Sequence, residues 1–120
     1  LIERWTTGSG GFLGEVSLVE PDEWDAKTYA RKGVELLEMT DVYVHPLRRG
    51  RGWARELVQT AILHADKEGL DLFLRTIAYG KTQHRRRWGA LSTEELAAFY
   101  AKFGFKARKD DPRVMVRRVK

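Results

Sequence analysis

Apolar positions along this chain recur with two different periods, and the switch between them marks out its elements. Residues 12–20 (FLGEVSLVE) alternate with a period of two, which predicts a half-buried strand. A short strand is expected over residues 1–5, followed by a turn at GSGG, residues 8–11. Residues 21–33 (PDEWDAKTYARKG) are polar and turn-rich, and read as a surface loop with room for one helical turn. Residues 34–44 (VELLEMTDVYV) are apolar and β-branched over the length of a long central strand. His45-Pro46 ends it, because proline has no N–H to give the ladder. From Trp53 the period lengthens: Ala54, Leu57, Val58, Ala61, Ile62 and Ala65 recur at helical spacing, with Gly69 as the C-cap. Residues 70–76 (LDLFLRT) read as a buried strand, so the unit is strand, glycine turn, helix, strand, a βαβ with a parallel pair. Residues 78–90 have no period. Ser92 and Glu95 then have the S-x-x-E spacing of a capping box. Leu96, Phe99, Tyr100 and Phe103 form the apolar face of the helix that follows, and Gly104 ends it. Two short strands over 105–108 and 114–116 are joined by a turn at KDDP.

Length and composition narrow the class. A chain of 120 residues fits one compact domain over 1–120, and 42% hydrophobic residues is too many for a disordered chain. No apolar run approaches the roughly 20 residues of a membrane span. The first residues lack the basic start and apolar stretch of a signal peptide, and Leu1 rather than Met stands first. The absence of cysteine excludes disulfides, thiol nucleophiles and cysteine-bound metals, and makes the cytoplasm the expected location. The net charge of +5 is unevenly placed: residues 1–42 carry four Lys/Arg against nine Asp/Glu, and residues 43–120 carry 18 against eight. That field favours an anionic partner for the second part, with an ordinary solvated basic surface as the alternative.

The basic turn VHPLRRGRGWARELV (residues 44–58) joins these two threads. A helix start leaves about four backbone N–H groups unpaired and carries about half a positive charge. Gly50 and Gly52 let an anion approach that backbone, and Arg48, Arg49 and Arg51 add full charges. The string is neither a Walker loop nor the dinucleotide G-x-G-x-x-G, since Arg55 stands where the last glycine belongs. A merely basic turn, or an arginine–glycine contact to nucleic acid, remains open on these residues alone.

Arg49-x-x-Gly52-x-Ala54, preceded by VHP, resembles the R/Q-x-x-G-x-G/A signature of the GCN5-related N-acetyltransferase (GNAT) superfamily. FYAKFGF, residues 99–105, resembles that family's late helix, with Tyr100 four residues before Gly104-Phe105. The resemblance covers roughly residue 12 onward. It implies an α/β fold of the α+β kind: a mixed, mostly antiparallel sheet with a central parallel βαβ pair and flanking helices. The family's usual first strand and following helices are missing or very short here, so the fold is expected to be shortened at its N-terminal side, with an open acceptor site. The resemblance further implies acetyl-CoA as co-substrate, and no metal. Its pyrophosphate would lie on the backbone N–H groups of Arg49, Gly50, Arg51, Gly52, Trp53 and Ala54. Its pantetheine arm would pair with Val42, Tyr43 and Val44, admitted by a splay between the parallel strands.

Acetyl transfer to an amine needs a neutral amine, a stabilised thioester oxygen and a proton for the leaving thiolate. Glu38 is the candidate base, at the place where similar histone-type members carry a glutamate. Glu35 and Asp41 compete with it, and an ordinary strand carboxylate is the bland alternative. Strand alternation puts Glu38, Thr40, Val42 and Val44 on one face unless a bulge intervenes. By resemblance Tyr100 is the candidate acid for the thiolate, its alternative being a core aromatic. The oxyanion falls to a backbone N–H near Val44. His45, His64 and His84 do not form a metal set, and Ser9, Ser17 and Ser92 lack a nucleophile elbow. The loop at residues 80–89, with Lys81, Arg85, Arg86 and Arg87, stands where the family has an asparagine-led segment. Its arginines suit an acidic acceptor protein, a nucleic acid or the coenzyme phosphates. The reading is an acetyl-CoA-dependent N-acetyltransferase acting on a primary amine by direct attack in a ternary complex. A coenzyme-dependent modifier of nucleic-acid bases and a non-catalytic coenzyme-binding module are the alternatives.

Overall fold

The computed structural model describes residues 3–7, 14–44, 52–76 and 92–119. Along the chain these form β1 (Glu3–Thr7), β2 (Gly14–Val19), α1 (Glu23–Tyr29), β3 (Glu35–Val44), α2 (Trp53–Glu68), β4 (Leu70–Arg75), α3 (Thr93–Ala101), β5 (Lys106–Ala107) and β6 (Val114–Arg117). The described strands make one sheet in the order β1-β2-β3-β4-β6-β5. Every neighbouring pair is antiparallel except β3 and β4, which run parallel with α2 as their crossover. The mixed, mostly antiparallel sheet around a central βαβ pair is therefore the architecture that the periodicities and the resemblance imply.

Two expectations need correction. The stretch over 21–33 is not simply a loop: it holds the two-turn helix α1. Asp22 caps it, its carboxylate accepting from the Asp25 N–H at 2.7 Å, and Asp25 and Tyr29 point inward. A helix whose buried residues include a charge leaves no apolar period to read. The second correction concerns β3. Glu15 pairs with Tyr43 and Ser17 with Thr40, so Val16 alone faces both Asp41 and Val42. That bulge shifts the alternation by one residue. Val42 consequently packs on the core that holds Leu37 and Met39, not on the face that carries Glu38.

The sheet separates two cores of unequal size. Val58, Ala61 and Ala65 of α2 lie without exposure against Leu37 and Met39 of β3 and Leu70, Leu72 and Leu74 of β4, and Tyr100 of α3 and Phe105 join the same cluster. Full burial of each large aliphatic side chain contributes about 1.5–3 kcal/mol, which makes this face the main source of stability. The opposite face holds Tyr29, Leu36, Phe73, Val114 and Val116. Gly69, at φ 71°, ends α2 by donating its N–H to the carbonyls of Ala65 and Asp66, and β4 starts at the next residue. No described helix is long and apolar enough to cross a membrane.

Candidate active site

The centre of the molecule is set by where β3 and β4 stop pairing. Their register runs from Glu35 opposite Leu70 to Glu38 opposite Phe73 and ends there. β3 continues to Val44, still paired with β2 through Val44 opposite Gly14. β4 continues to Arg75, paired with β6 rather than β3. Over residues 39–44, then, no described strand pairs with the β4-facing edge of β3. An exposed run of backbone donors and acceptors on a central strand is a place for an extended chain to add on. Val42, Tyr43 and Val44 lie on that stretch.

α2 begins just after the end of β3. Gly52, its N-cap, is left-handed at φ 81°, a conformation that costs other residues about 1–2 kcal/mol. A Cβ built there meets nothing within 4 Å. The first intrahelical bond runs from the Glu56 N–H to the Gly52 carbonyl, and no side chain among the described residues caps the end. The start of α3 differs: the Ser92 hydroxyl accepts from the Glu95 N–H at 3.2 Å, and the Glu95 carboxylate accepts from the Ser92 N–H at 3.0 Å. One helix start is closed by its own side chains, while the other shows no side-chain cap among the described residues. Trp53 and Ala54 form the first turn of α2. Arg49, Gly50 and Arg51 lie outside the described residues, as do Arg85, Arg86 and Arg87.

Glu38 and Tyr100 lie on opposite sides of the sheet. Tyr100 is 6% exposed on α3, inside the α2-side core, with Phe99 and Phe105 edge-on at 5.2 and 5.8 Å. Glu38 is half-buried beside α1 at the last parallel pair. The Arg75 Nη1 donates to its Oε2 at 3.1 Å, and Nη2 of the same guanidinium donates to Oδ1 of buried Asp25 at 2.6 Å. Burial pushes the Glu38 carboxyl above the ordinary range; Arg75 opposes that, while Asp25 and Asp22 add to it. The bond to Asp25, first among its causes, holds Arg75 still more firmly protonated. Sequence reasoning missed both Asp25 and Arg75. The available signal was an arginine closing an otherwise mostly apolar strand, LDLFLR. Of the competing carboxylates, Glu35 is exposed at the outer end of β3.

Among the described residues no group of three His, Asp or Glu side chains is arranged to hold a metal ion. His64 instead packs edge-on against Trp5 at 5.3 Å. His45 and His84 lie outside the described residues.

The same sheet and helices recur in solved structures. The anti-CRISPR protein AcrVA5 superposes with a TM-score of 0.57 at 20% identity, over 96% of this chain and 98% of that one. A GNAT-family acetyltransferase from Staphylococcus aureus Mu50 gives 0.60 at 16% identity, over 96% of this chain and 65% of its own. The Escherichia coli GNAT protein YhbS, solved in complex with CoA, gives 0.58 at 18%, over 96% and 56%. The chain thus spans little more than half to two thirds of those two acetyltransferases, and nearly all of AcrVA5. No curated protein relative matches it. A family model for the acetyltransferase (GNAT) domain matches residues 5–107, and the chain belongs to that family.

Proposed function

We propose that the protein transfers an acetyl group from acetyl-CoA to a primary amine by direct attack within a ternary complex. The observation that carries this reading is the end of β3–β4 pairing at Glu38 and Phe73. It leaves a backbone edge that an extended pantetheine arm can extend, and the helix that follows β3 in the chain starts without a described side-chain cap, as suits a diphosphate. The arm is assigned to the backbone of Val42, Tyr43 and Val44 on the edge of β3 that no described strand pairs, and the pyrophosphate to the N–H groups at the start of α2, Gly52, Trp53 and Ala54, with Arg49, Gly50 and Arg51 assigned from the sequence alone. Acetyl-CoA supplies an activated acyl carbon. The amine nitrogen adds to that carbon as the carbonyl electron pair moves onto oxygen, and the carbonyl re-forms as the carbon–sulfur bond breaks.

The placement of the two candidate groups suits that exchange. Base and acid serve different atoms, the incoming nitrogen and the outgoing sulfur, both borne by the acyl carbon once the nitrogen has added. Glu38 on the α1 side takes the proton of the amine, directly or through water, and Tyr100 on the α2 side gives one to the thiolate. Burial keeps Glu38 more basic than a surface carboxylate, which brings it closer to the ammonium it must deprotonate. The excess of basic residues from 43 onward favours an acceptor presented on an anionic molecule, so nucleic acid belongs among the acceptors assayed.

Thiol release from acetyl-CoA, with pooled small amines, lysine-containing proteins, DNA and RNA in separate arms, tests the reading. A mass gain of one acetyl group identifies the acceptor. Tyr100→Phe is expected to lower turnover about a hundredfold with coenzyme affinity within about twofold. Coenzyme binding without turnover on any acceptor would mark a non-catalytic binding module. Unchanged turnover in Tyr100→Phe would remove the acid role.

A further inference from the structure

The residue that bridges the gap between the parting strands is Arg75. It is the last residue of β4, two beyond the final parallel partner Phe73, so its backbone is already on the diverging part of the strand. Its side chain stands on the face that carries Phe73, 5.6 Å from that ring centre, and reaches across to Glu38 on β3. The other arm of the guanidinium is fixed by Asp25 of α1, whose side chain is 3% exposed. The contact to Asp25 is the shorter of the two, 2.6 Å against 3.1 Å. Three elements, α1, β4 and β3, therefore meet on one planar fork where the sheet opens.

We propose that Arg75, anchored by Asp25, is the positioning residue for Glu38: it aims the carboxylate into the opening between β3 and β4 and links its charge to that of Asp25. The proposal rests on the reading of Glu38 as the base. A base must sit within hydrogen-bond reach of its proton, and a displacement of about 1 Å can cost about a hundredfold in rate. A carboxylate on a three-bond side chain at a strand edge has several rotamers, and a fixed guanidinium selects among them. An arginine devoted to Glu38 alone would hold the carboxylate ionised and weaken it as a base. Sharing the cation with Asp25 relieves that. The charged groups acting on Glu38 are Arg75 from β4, and Asp25 and Asp22 from α1 and its cap. Directly opposite on β2 stands uncharged Val19.

The coupling makes two variants move the same carboxyl in opposite directions, which a purely structural tie would not do. Carbon-13 NMR titration of the Glu38 side chain reads it without reference to turnover. Arg75→Gln removes the cation and is expected to move the titration to higher pH. Asp25→Asn removes a neighbouring negative charge and frees Arg75 for Glu38, moving it to lower pH. The acid limb of the kcat/KM profile is expected to follow each shift, and kcat of Arg75→Gln at pH 8 to fall about tenfold through lost aim. Arg75→Lys keeps the charge and should restore the titration while leaving kcat low. Should Arg75→Gln not fold with Asp25 left buried, the Asp25→Asn/Arg75→Gln double variant is compared with Asp25→Asn alone, and its titration is expected to lie higher. Glu38 titration indifferent to Arg75, or an acid limb that ignores the shifts in an enzyme that turns over, would overturn the inference and leave acetyl transfer standing. A wild-type protein that binds the coenzyme but acetylates no amine would take the base role away from Glu38, and the inference with it.

Discussion

The two faces of the sheet are built on different physics. The α2 face is apolar over most of its extent, with Val58, Ala61, Ala65 and Leu72 without exposure, and takes in one buried charge at its edge, Arg117 of β6, paired with Asp66 of α2 at 2.8 and 2.9 Å. The α1 face is smaller and carries charge into the interior: Asp25 and Asp71 are buried there, each held by arginines. Asp71 accepts from both arms of Arg31, from Arg118 and from the Val119 N–H, tying the start of β3, the start of β4 and the C-terminal residues together. The difference teaches how packing and charge share the work of holding one sheet. Apolar packing holds β3 and β4 from one side, and oriented ion pairs on the other are available to act where the strands part.

The comparison can be broken most directly in the cores. Leu72→Ala, walled in by sheet and helix, is expected to cost about 4 kcal/mol, and Leu36→Ala, beneath the short α1, about 2 kcal/mol because its surroundings collapse more easily. Urea unfolding of the two variants measures this, and equal losses would contradict the ranking.

The buried charge comes next. Asp71→Asn is expected to cost about 2–3 kcal/mol, since it strands two arginines that are still half-exposed and can rehydrate. Its pH dependence sharpens the contrast. Burial acts to raise the Asp71 pKa, but the hydrogen bonds from Arg31, the Val119 N–H and Arg118 outweigh it and leave it lowered. Its stabilisation is therefore complete above the unfolded-state value near 3.9 and is lost as pH falls through the lower folded value. Glu38 runs the other way: its folded pKa is raised, so its ionisation costs stability as pH rises above the unfolded value. Thermal melts from pH 3 to 7 are expected to lose part of their acid-side fall in Asp71→Asn, and to fall more steeply on the acid side in Glu38→Gln.

The smallest effects concern the two helix starts. Gly52→Ala is expected to cost about 1 kcal/mol from the left-handed backbone alone, since the site is open. Ser92→Ala is expected to cost about the same or less by opening the capping box. Denaturant melts measure both, and calorimetry with CoA separates them: only the α2 start is expected to lose affinity. Equal loss of affinity in Ser92→Ala would remove the distinction between an open and a closed helix start.

Much of this was legible in the residues themselves. The period change at Trp53, the glycine at 69 and the Ser92–Glu95 box are local features, and each places a helix boundary by satisfying or freeing backbone N–H and carbonyl groups within a few residues. The alternation around Val16 and Leu18 and the apolar run of β4 are equally local. Those signals suffice for the βαβ unit and the order of elements around it, and for the stretch that carries Glu38. α1 was not legible, because its inward residues include an aspartate whose burial makes sense only once Arg75, 50 positions later, is in place.

The bulge at Asp41 and Val42 and the parting of β3 from β4 belong to the same class. Each is a relation between two strands, decided by which partner satisfies which backbone groups, so neither strand records it alone. The chain by itself determined the βαβ unit, the strands and helix around it, and the candidate residues on them, but not α1. Only the tertiary structure put Glu38 and Tyr100 on opposite faces of the sheet and gave Glu38 its arginine, because long-range pairing of charges and strand edges is settled when the whole sheet closes.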